Sequence, residues 1–105
     1  MQSYKIIYQP EAEKALDRIY EKYTELGGAN SAERIYNNIA DRISHLSFIP
    51  YMGRAFLDSE EYRILNCGNY ICLYRVSENF VFIADIVDGR TNYVKKFKTV
   101  IRVGK

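Results

Sequence analysis

Three alternating segments in the second half of the chain, joined by two very short polar breaks, leave little freedom for the fold. Tyr62 to Cys67, Tyr70 to Val76 and Phe80 to Val87 are rich in branched and aromatic residues, which suit the pleated, half-buried surface of a strand. Only Gly68 and Asn69 separate the first two segments, a Gly-X pair that fits a type II′ hairpin turn. Ser77-Glu78-Asn79 forms the second break. Connections this short join antiparallel neighbours, because a parallel pair needs a crossover of a dozen residues or more. The three segments therefore predict a meander. The last of them is apolar on both sides, which predicts a central place in the sheet.

The first half reads differently. Tyr4, Ile6 and Tyr8 alternate, predicting a short N-terminal strand. Pro10 can open a helix because its missing amide needs no partner there. Ala12, Ala15, Leu16, Ile19, Tyr20, Tyr23 and Leu26 then recur at helical spacing, with charges on the opposite side, until Gly27-Gly28. A second helix starts at Asn30 or Ser31, with Asn30 as cap and Glu33 completing a capping box. Its stripe is Ala32, Ile35, Tyr36, Ile39, Ile43 and Leu46. Two helices joined by a glycine turn predict an antiparallel hairpin. Pro50 and Gly53 mark a loop that runs to about Glu61. Tyr93 to Val103 is open: Phe97, Thr99, Ile101 and Val103 alternate, whereas Val94, Phe97 and Ile101 fit a helix face.

The expectation is thus a single α+β domain over residues 1–105. An N-terminal strand and the meander form a mainly antiparallel four-stranded sheet, and the helix hairpin covers one of its faces. The other face and the strand ends are left to carry a site.

At 105 residues, 48% apolar and 27% charged, the chain can bury a core without disulfides or metal. Cys67 and Cys72 are too far apart for a CxxC pair and too few for a zinc site; they read as small thiols of a cytosolic protein. No run of about 18 apolar residues and no apolar leader region is present, so the expectation is a soluble cytoplasmic protein with no membrane contact. His45 is the sole histidine and reads as a surface or boundary residue. The sequence has no phosphate-binding glycine motif and no nucleophile elbow. No cofactor and no metal are expected.

Charge is distributed unevenly. Residues 90–105 hold six bases and no acid, on a chain whose formal net charge is only +2. Such an end suits an anionic partner, either nucleic acid or an acidic protein segment, or is a solvated basic tail. Near the sheet lie Arg63, Arg75, Arg90, Tyr70, Tyr74, Tyr93, Lys95 and Lys96. Arginine forks suit phosphate or carboxylate, and tyrosine can stack on a base. The same arginines could equally pair with Asp85, Asp88, Glu60 or Glu61, at under about 1 kcal/mol each when exposed.

The order of these segments resembles the RelE/ParE superfamily, the toxin halves of bacterial type II toxin–antitoxin pairs. The segments that carry the resemblance are Pro10-Glu11-Ala12 opening a helix with Asp17, Ile19 and Tyr20, the loop "FIPYMGR", then "EYRILNCGNYICLYRV" and "VFIADIVDGRTNY". The resemblance implies a microbial-RNase-like α/β fold, a cognate antitoxin that wraps the toxin, operator DNA contacted only through that complex, and roles in growth inhibition and plasmid stabilisation. It implies one of two activities. RelE-like members are endoribonucleases that cleave mRNA on the ribosome; ParE-like members inhibit DNA gyrase by binding.

As a nuclease, the chain would use Arg63 and Arg90 on the phosphate and Tyr93 as proton donor. Two further cations of the nuclease pattern are replaced here, by Leu65 and Ile71. The resemblance is therefore nearer the ParE-like kind, with Arg63, Tyr70, Arg75, Arg90, Tyr93, Lys95 and Lys96 as contacts for target or antitoxin. A non-toxic binding module of the same fold is the third reading.

Overall fold

The computed structural model describes residues 3–103. Strand β5, Phe80–Asp88, organises the sheet, with β1 (Lys5–Tyr8) on one side and β4 (Tyr70–Ser77) on the other. Beyond β4 lie β3 (Tyr62–Cys67) and β2 (Arg54–Ala55), giving the order β1-β5-β4-β3-β2. Among the described residues, only the β1–β5 pair is parallel. The meander and the interior place of its last strand are as expected. The added fifth strand is a two-residue edge that pairs Arg54 with Ile64 and Ala55 with Arg63.

Helices α1 (Pro10–Gly27) and α2 (Ala29–Ser44) form the hairpin. The capping box expected from Asn30 and Glu33 does not form: α2 begins at Ala29, and no side chain caps it. Gly28, at φ 86, links the helices instead. Its amide donates to the Thr24 carbonyl at 2.9 Å and its own carbonyl accepts from the Ala32 amide at 3.1 Å. One residue thus closes α1 and opens α2, which leaves Asn30 inside the first turn. A short 3₁₀ turn, His45–Ser47, follows α2.

The hairpin and the 3₁₀ turn after it pack Ala12, Leu16, Ile19, Ile39, Ile43 and Leu46 against Leu65, Cys67, Tyr70, Cys72, Tyr74, Val81, Ile83 and Ile86. The second face of the sheet, expected to be free, is partly covered. Tyr93–Val103 is a helix, α3, and its Phe97, with Tyr93, Val94, Val100 and Ile101, packs on Phe56, Tyr62, Ile64, Ile71, Leu73 and Ala84. Residues spaced by three and four can all reach one face of a helix, so the helical alternative buries more apolar surface than the alternating one.

Cys67 and Cys72 are both free and buried. Burial pushes the Cys67 thiol up to about 11 and Cys72 well above its usual range, so neither is a reactive thiolate at neutral pH.

The two meander turns are built alike from unlike residues. Cys67 sits opposite Tyr70 and Ser77 opposite Phe80, so each loop has two residues. The first loop residue has positive φ in both, 68 at Gly68 and 55 at Glu78. Glycine takes that conformation freely, but a residue with a Cβ is disfavoured there by about 1–2 kcal/mol. Part of that gain is offset by the larger unfolded-state entropy of glycine, about 0.5–1 kcal/mol. Glu78→Gly is therefore expected to stabilise the protein by about 0.5–1 kcal/mol, read as a rise of a few degrees in Tm. An unchanged or lower Tm would count against strain at Glu78.

Candidate interaction surface

The cations and tyrosines singled out in the sequence occupy three places. Arg63, on β3, lies opposite Tyr74 on the hairpin face. Its Nη1 donates to the Gly53 carbonyl at 2.7 Å and reaches the Tyr51 carbonyl at 3.5 Å, while the guanidinium lies 5.1 Å from the Tyr51 ring centroid. The buried Tyr74 hydroxyl accepts from the Gly53 amide at 3.0 Å. Arg63 thus ties the loop before β2 to the sheet. Tyr74, singled out in the sequence, completes this cluster with Tyr51 and Gly53, which were not. The only sequence signal for them is that a buried tyrosine hydroxyl needs a partner.

Arg90 closes the opposite end. Its Nε and Nη2 donate to the two oxygens of Asp88 at 3.0 and 2.7 Å, and its backbone amide donates to Asp88 Oδ1 at 2.9 Å. These bonds hold the Asp88 carboxyl down at about 2. The Arg90 fork is thereby already filled by a carboxylate from its own turn. Tyr70 lies beside this turn with its ring in the core. Its hydroxyl donates to that of Tyr23 at 3.3 Å, and burial of the residue leaves no ring face open for stacking.

Asp88 sits opposite Tyr70 and Arg63 opposite Tyr74, four residues further along β4, about 13 Å of strand. Arg63 and Arg90 share the hairpin side but stand at opposite ends of it. They cannot grip one phosphate together. Arg75 is on the other face, with its guanidinium 4.4 Å from the Phe82 ring centroid. Tyr93 begins α3 and packs edge-on against Phe97, centroids 5.8 Å apart. Lys95 and Lys96 are exposed on the same helix.

A sequence profile of the family described as "ParE toxin of type II toxin-antitoxin system, parDE" matches residues 6–93. The chain belongs to the ParE toxin family. Solved structures share its fold. A chain of the chromosomal ParDE toxin–antitoxin system of P. aeruginosa superimposes with a TM-score of 0.72 at 20% identity, covering 82% of this chain and 96% of that one. A chain of the RelBE2 toxin–antitoxin complex of Mycobacterium tuberculosis gives 0.62 at 20% identity, covering 82% and 98%. A double mutant of the E. coli toxin RelE in the free state gives 0.60 at 11% identity, covering 97% and 98%. Comparison with curated protein sequences found no match.

This ParE-family chain also buries an acid that the nuclease pattern does not use. Asp85 is 0% exposed. Its Oδ1 accepts from the Ile86 amide at 2.8 Å, whereas Oδ2 has no partner among the described residues. Burial pushes its pKa above 3.8, opposed by the Ile86 amide and by Lys96. Because the folded form holds its proton longer than the unfolded chain, stability falls as pH rises from 3.8 through the folded value. At lower pH both forms are protonated and nothing is lost. Asp85→Asn keeps the acceptor for Ile86 and removes the charge. At pH 7 it is expected to be the more stable protein, by about 1–3 kcal/mol if the full penalty of a buried unpaired group applies, with the difference vanishing near pH 3. Urea midpoints at both pH values measure this. A wild type that is more stable at pH 7 would mean the charge is satisfied in the fold.

None of the helices is long and apolar enough to cross a membrane among the described residues.

Proposed function

We propose that this toxin arrests growth by binding a macromolecular target, with DNA gyrase as the candidate, and that a cognate antitoxin neutralises it in the cytoplasm. The observation that carries this reading is the dispersal of the three residues a nuclease would need. Arg63 is committed to loop carbonyls and Arg90 to Asp88, and Tyr93 starts α3, its ring packed on Phe97. General acid–base chemistry needs donor, acceptor and charge stabiliser within hydrogen-bond reach of one reacting group. A binding surface has no such requirement. The exposed contacts are then Arg90 on the hairpin side and Lys95 and Lys96 on α3, with the half-buried Arg75 on the sheet face that α3 covers. Arg63 and Tyr70 act by positioning their neighbours. The antitoxin reading draws on the two similar structures that come from toxin–antitoxin systems. Stabilisation of a plasmid carrying the pair would follow from it.

The test is induction of the chain alone in bacteria, with purified protein then added to a gyrase supercoiling reaction and to a cell-free translation reaction. The expected result is arrested growth, blocked supercoiling and intact message. Cleaved message with unaffected supercoiling would support the endoribonuclease reading. Normal growth in the absence of any partner would leave only a binding module.

A further inference from the structure

α3 covers only one end of its sheet face, and the register places the residues beyond it. Tyr62 lies opposite Arg75, Arg75 opposite Phe82 and Phe82 beside Ile7, so the four form one row across β3, β4, β5 and β1. Ser77, Phe80 and Lys5 form a second row, two residues further along the strands. Tyr62 packs under α3, which fixes the side. Successive residues of a strand alternate between faces, and the core under the helix hairpin takes Tyr74, Val76, Val81 and Ile83 instead. Both rows therefore face away from the hairpin. Neither Phe80 nor Phe82 belongs to the cluster that α3 covers. Ile7, Arg75, Ser77, Phe80 and Phe82 are half-buried, and Lys5 is exposed.

This end of the sheet is aromatic and cationic. The Phe80 and Phe82 rings stand 5.8 Å apart between centroids and are tilted by 32°, so they present neighbouring π faces at a similar slope. The Arg75 guanidinium lies 4.4 Å from the Phe82 centroid, within cation–π range. The ion pair among the described residues is Arg90 with Asp88, so Arg75 and Lys5 carry no acid partner there. They flank the rings from the two sides of β5. Glu78, exposed in the turn after Ser77, is the acid nearest in the chain to these strand ends, and the balance is positive. An apolar protein segment would use the rings and leave both cations unmatched. An acidic one would match the cations and leave the rings in water. A single strand of nucleic acid offers both unpaired base faces and phosphates, whereas a duplex keeps its base faces stacked on one another.

We infer that this end of the sheet takes single-stranded nucleic acid, with two successive bases on Phe80 and on the Arg75–Phe82 layer and the phosphates on Lys5 and Arg75. Unpaired bases stack on sheet aromatics and on arginine planes alike. Such stacking tolerates any sequence, so the surface separates single from double strands and not one sequence from another. The inference goes beyond the gyrase reading and does not rest on it.

The probe is single-stranded hexathymidylate, set beside an abasic hexamer with the same phosphates, a blunt DNA duplex and a hexaglutamate peptide. Backbone amide shifts locate the binding, and anisotropy of the labelled oligomer gives Kd. Hexathymidylate is expected to shift the amides of Lys5 to Ile7, Arg75 to Ser77 and Phe80 to Phe82. The abasic hexamer is expected to bind about tenfold more weakly or worse, having lost the stacking. Two phosphate contacts predict a slope of about 1.4 in log Kd against log salt, and Arg75→Ala should lower it by about 0.7. Phe80→Leu and Phe82→Leu keep apolar bulk and remove a π face, and each is expected to weaken binding about tenfold. Lys5→Glu, at an exposed position, weakens it without touching the core. No shift at millimolar hexathymidylate, equal binding of the abasic hexamer or the duplex, equal shifts with hexaglutamate, or shifts centred on Arg90, Lys95 and Lys96 would each overturn the inference. The hexamer enters neither the growth test nor the supercoiling test, so the toxin reading and this surface can fail separately.

Discussion

Phe97→Ala is expected to release α3 from the sheet while the helix-hairpin side stays folded. Phe97 is completely buried and packs edge-on against Phe56 at 5.7 Å and Tyr93 at 5.8 Å between centroids. Truncating a fully buried phenylalanine costs about 3–5 kcal/mol through lost transfer energy and the cavity left behind. The rest of the α3 anchor is only partly buried: Tyr93, Val94, Val100 and Ile101. An isolated helix of 11 residues is shorter than water normally supports, so once its central ring is gone the helix has little reason to remain. The hairpin-side core shares no residue with this cluster. Hydrogen exchange should therefore rise by about two to three orders of magnitude in α3 and much less in β4 and the hairpin. Equal acceleration in α3 and β4 would mean that the two cores unfold as one unit and would remove the argument.

Gly53→Ala is the second large effect. A Cβ there would stand 2.5 Å from the Ile64 carbonyl oxygen and 2.6 Å from the Tyr74 hydroxyl. Neither can move cheaply. Ile64 is in the ladder with Arg54, and Tyr74 is wholly buried. The loop has to shift instead, breaking the Gly53 bonds to Tyr74 and Arg63. Overpacking costs about 1–3 kcal/mol and a buried hydroxyl left unpaired about 1–3 kcal/mol, so a loss of about 2–5 kcal/mol is expected in urea unfolding. Tyr74→Phe removes one of the three clashing atoms, leaving the Ile64 oxygen and the ring Cε1 at 2.9 Å. In the Gly53→Ala background it should cost less than it does alone, a coupling that a double-mutant cycle measures. A Gly53→Ala protein within about 0.5 kcal/mol of wild type, or purely additive behaviour, would show that the loop is loosely held.

The parts of this molecule that were legible in its sequence are those fixed by neighbours in the chain. β3 and β4 meet at a Gly-X turn flanked by alternating residues, and their bounds follow from that alone. The hairpin follows from two apolar stripes and a glycine pair. α3 was ambiguous because its apolar residues satisfy both periods, and only the presence of Phe56, Tyr62 and Leu73 on the facing sheet decides between them. β2 has two residues and no periodicity to read. The cation set shows the limit more sharply. Arg63 is on the expected strand, yet its partners are backbone carbonyls ten and twelve residues earlier, and a carbonyl carries no residue-type signal. Arg90 and Asp88 are two residues apart, so their pairing could be expected from the sequence. Asp85 stands out as an acid in an apolar run.

The parallel pair at the start of the sheet has a consequence for how the protein is made. Lys5 meets Phe80 and Tyr8 meets Ile83, contacts separated by 75 residues of chain. Closing so long a loop has to wait until its far end exists, and late closure is the slow step in sheets of this kind. During synthesis the two helices can emerge and pair early, but their apolar stripes have no sheet to rest on until the chain is nearly complete. The apolar stripes of the two helices therefore stay uncovered until the last strand of the sheet has been made.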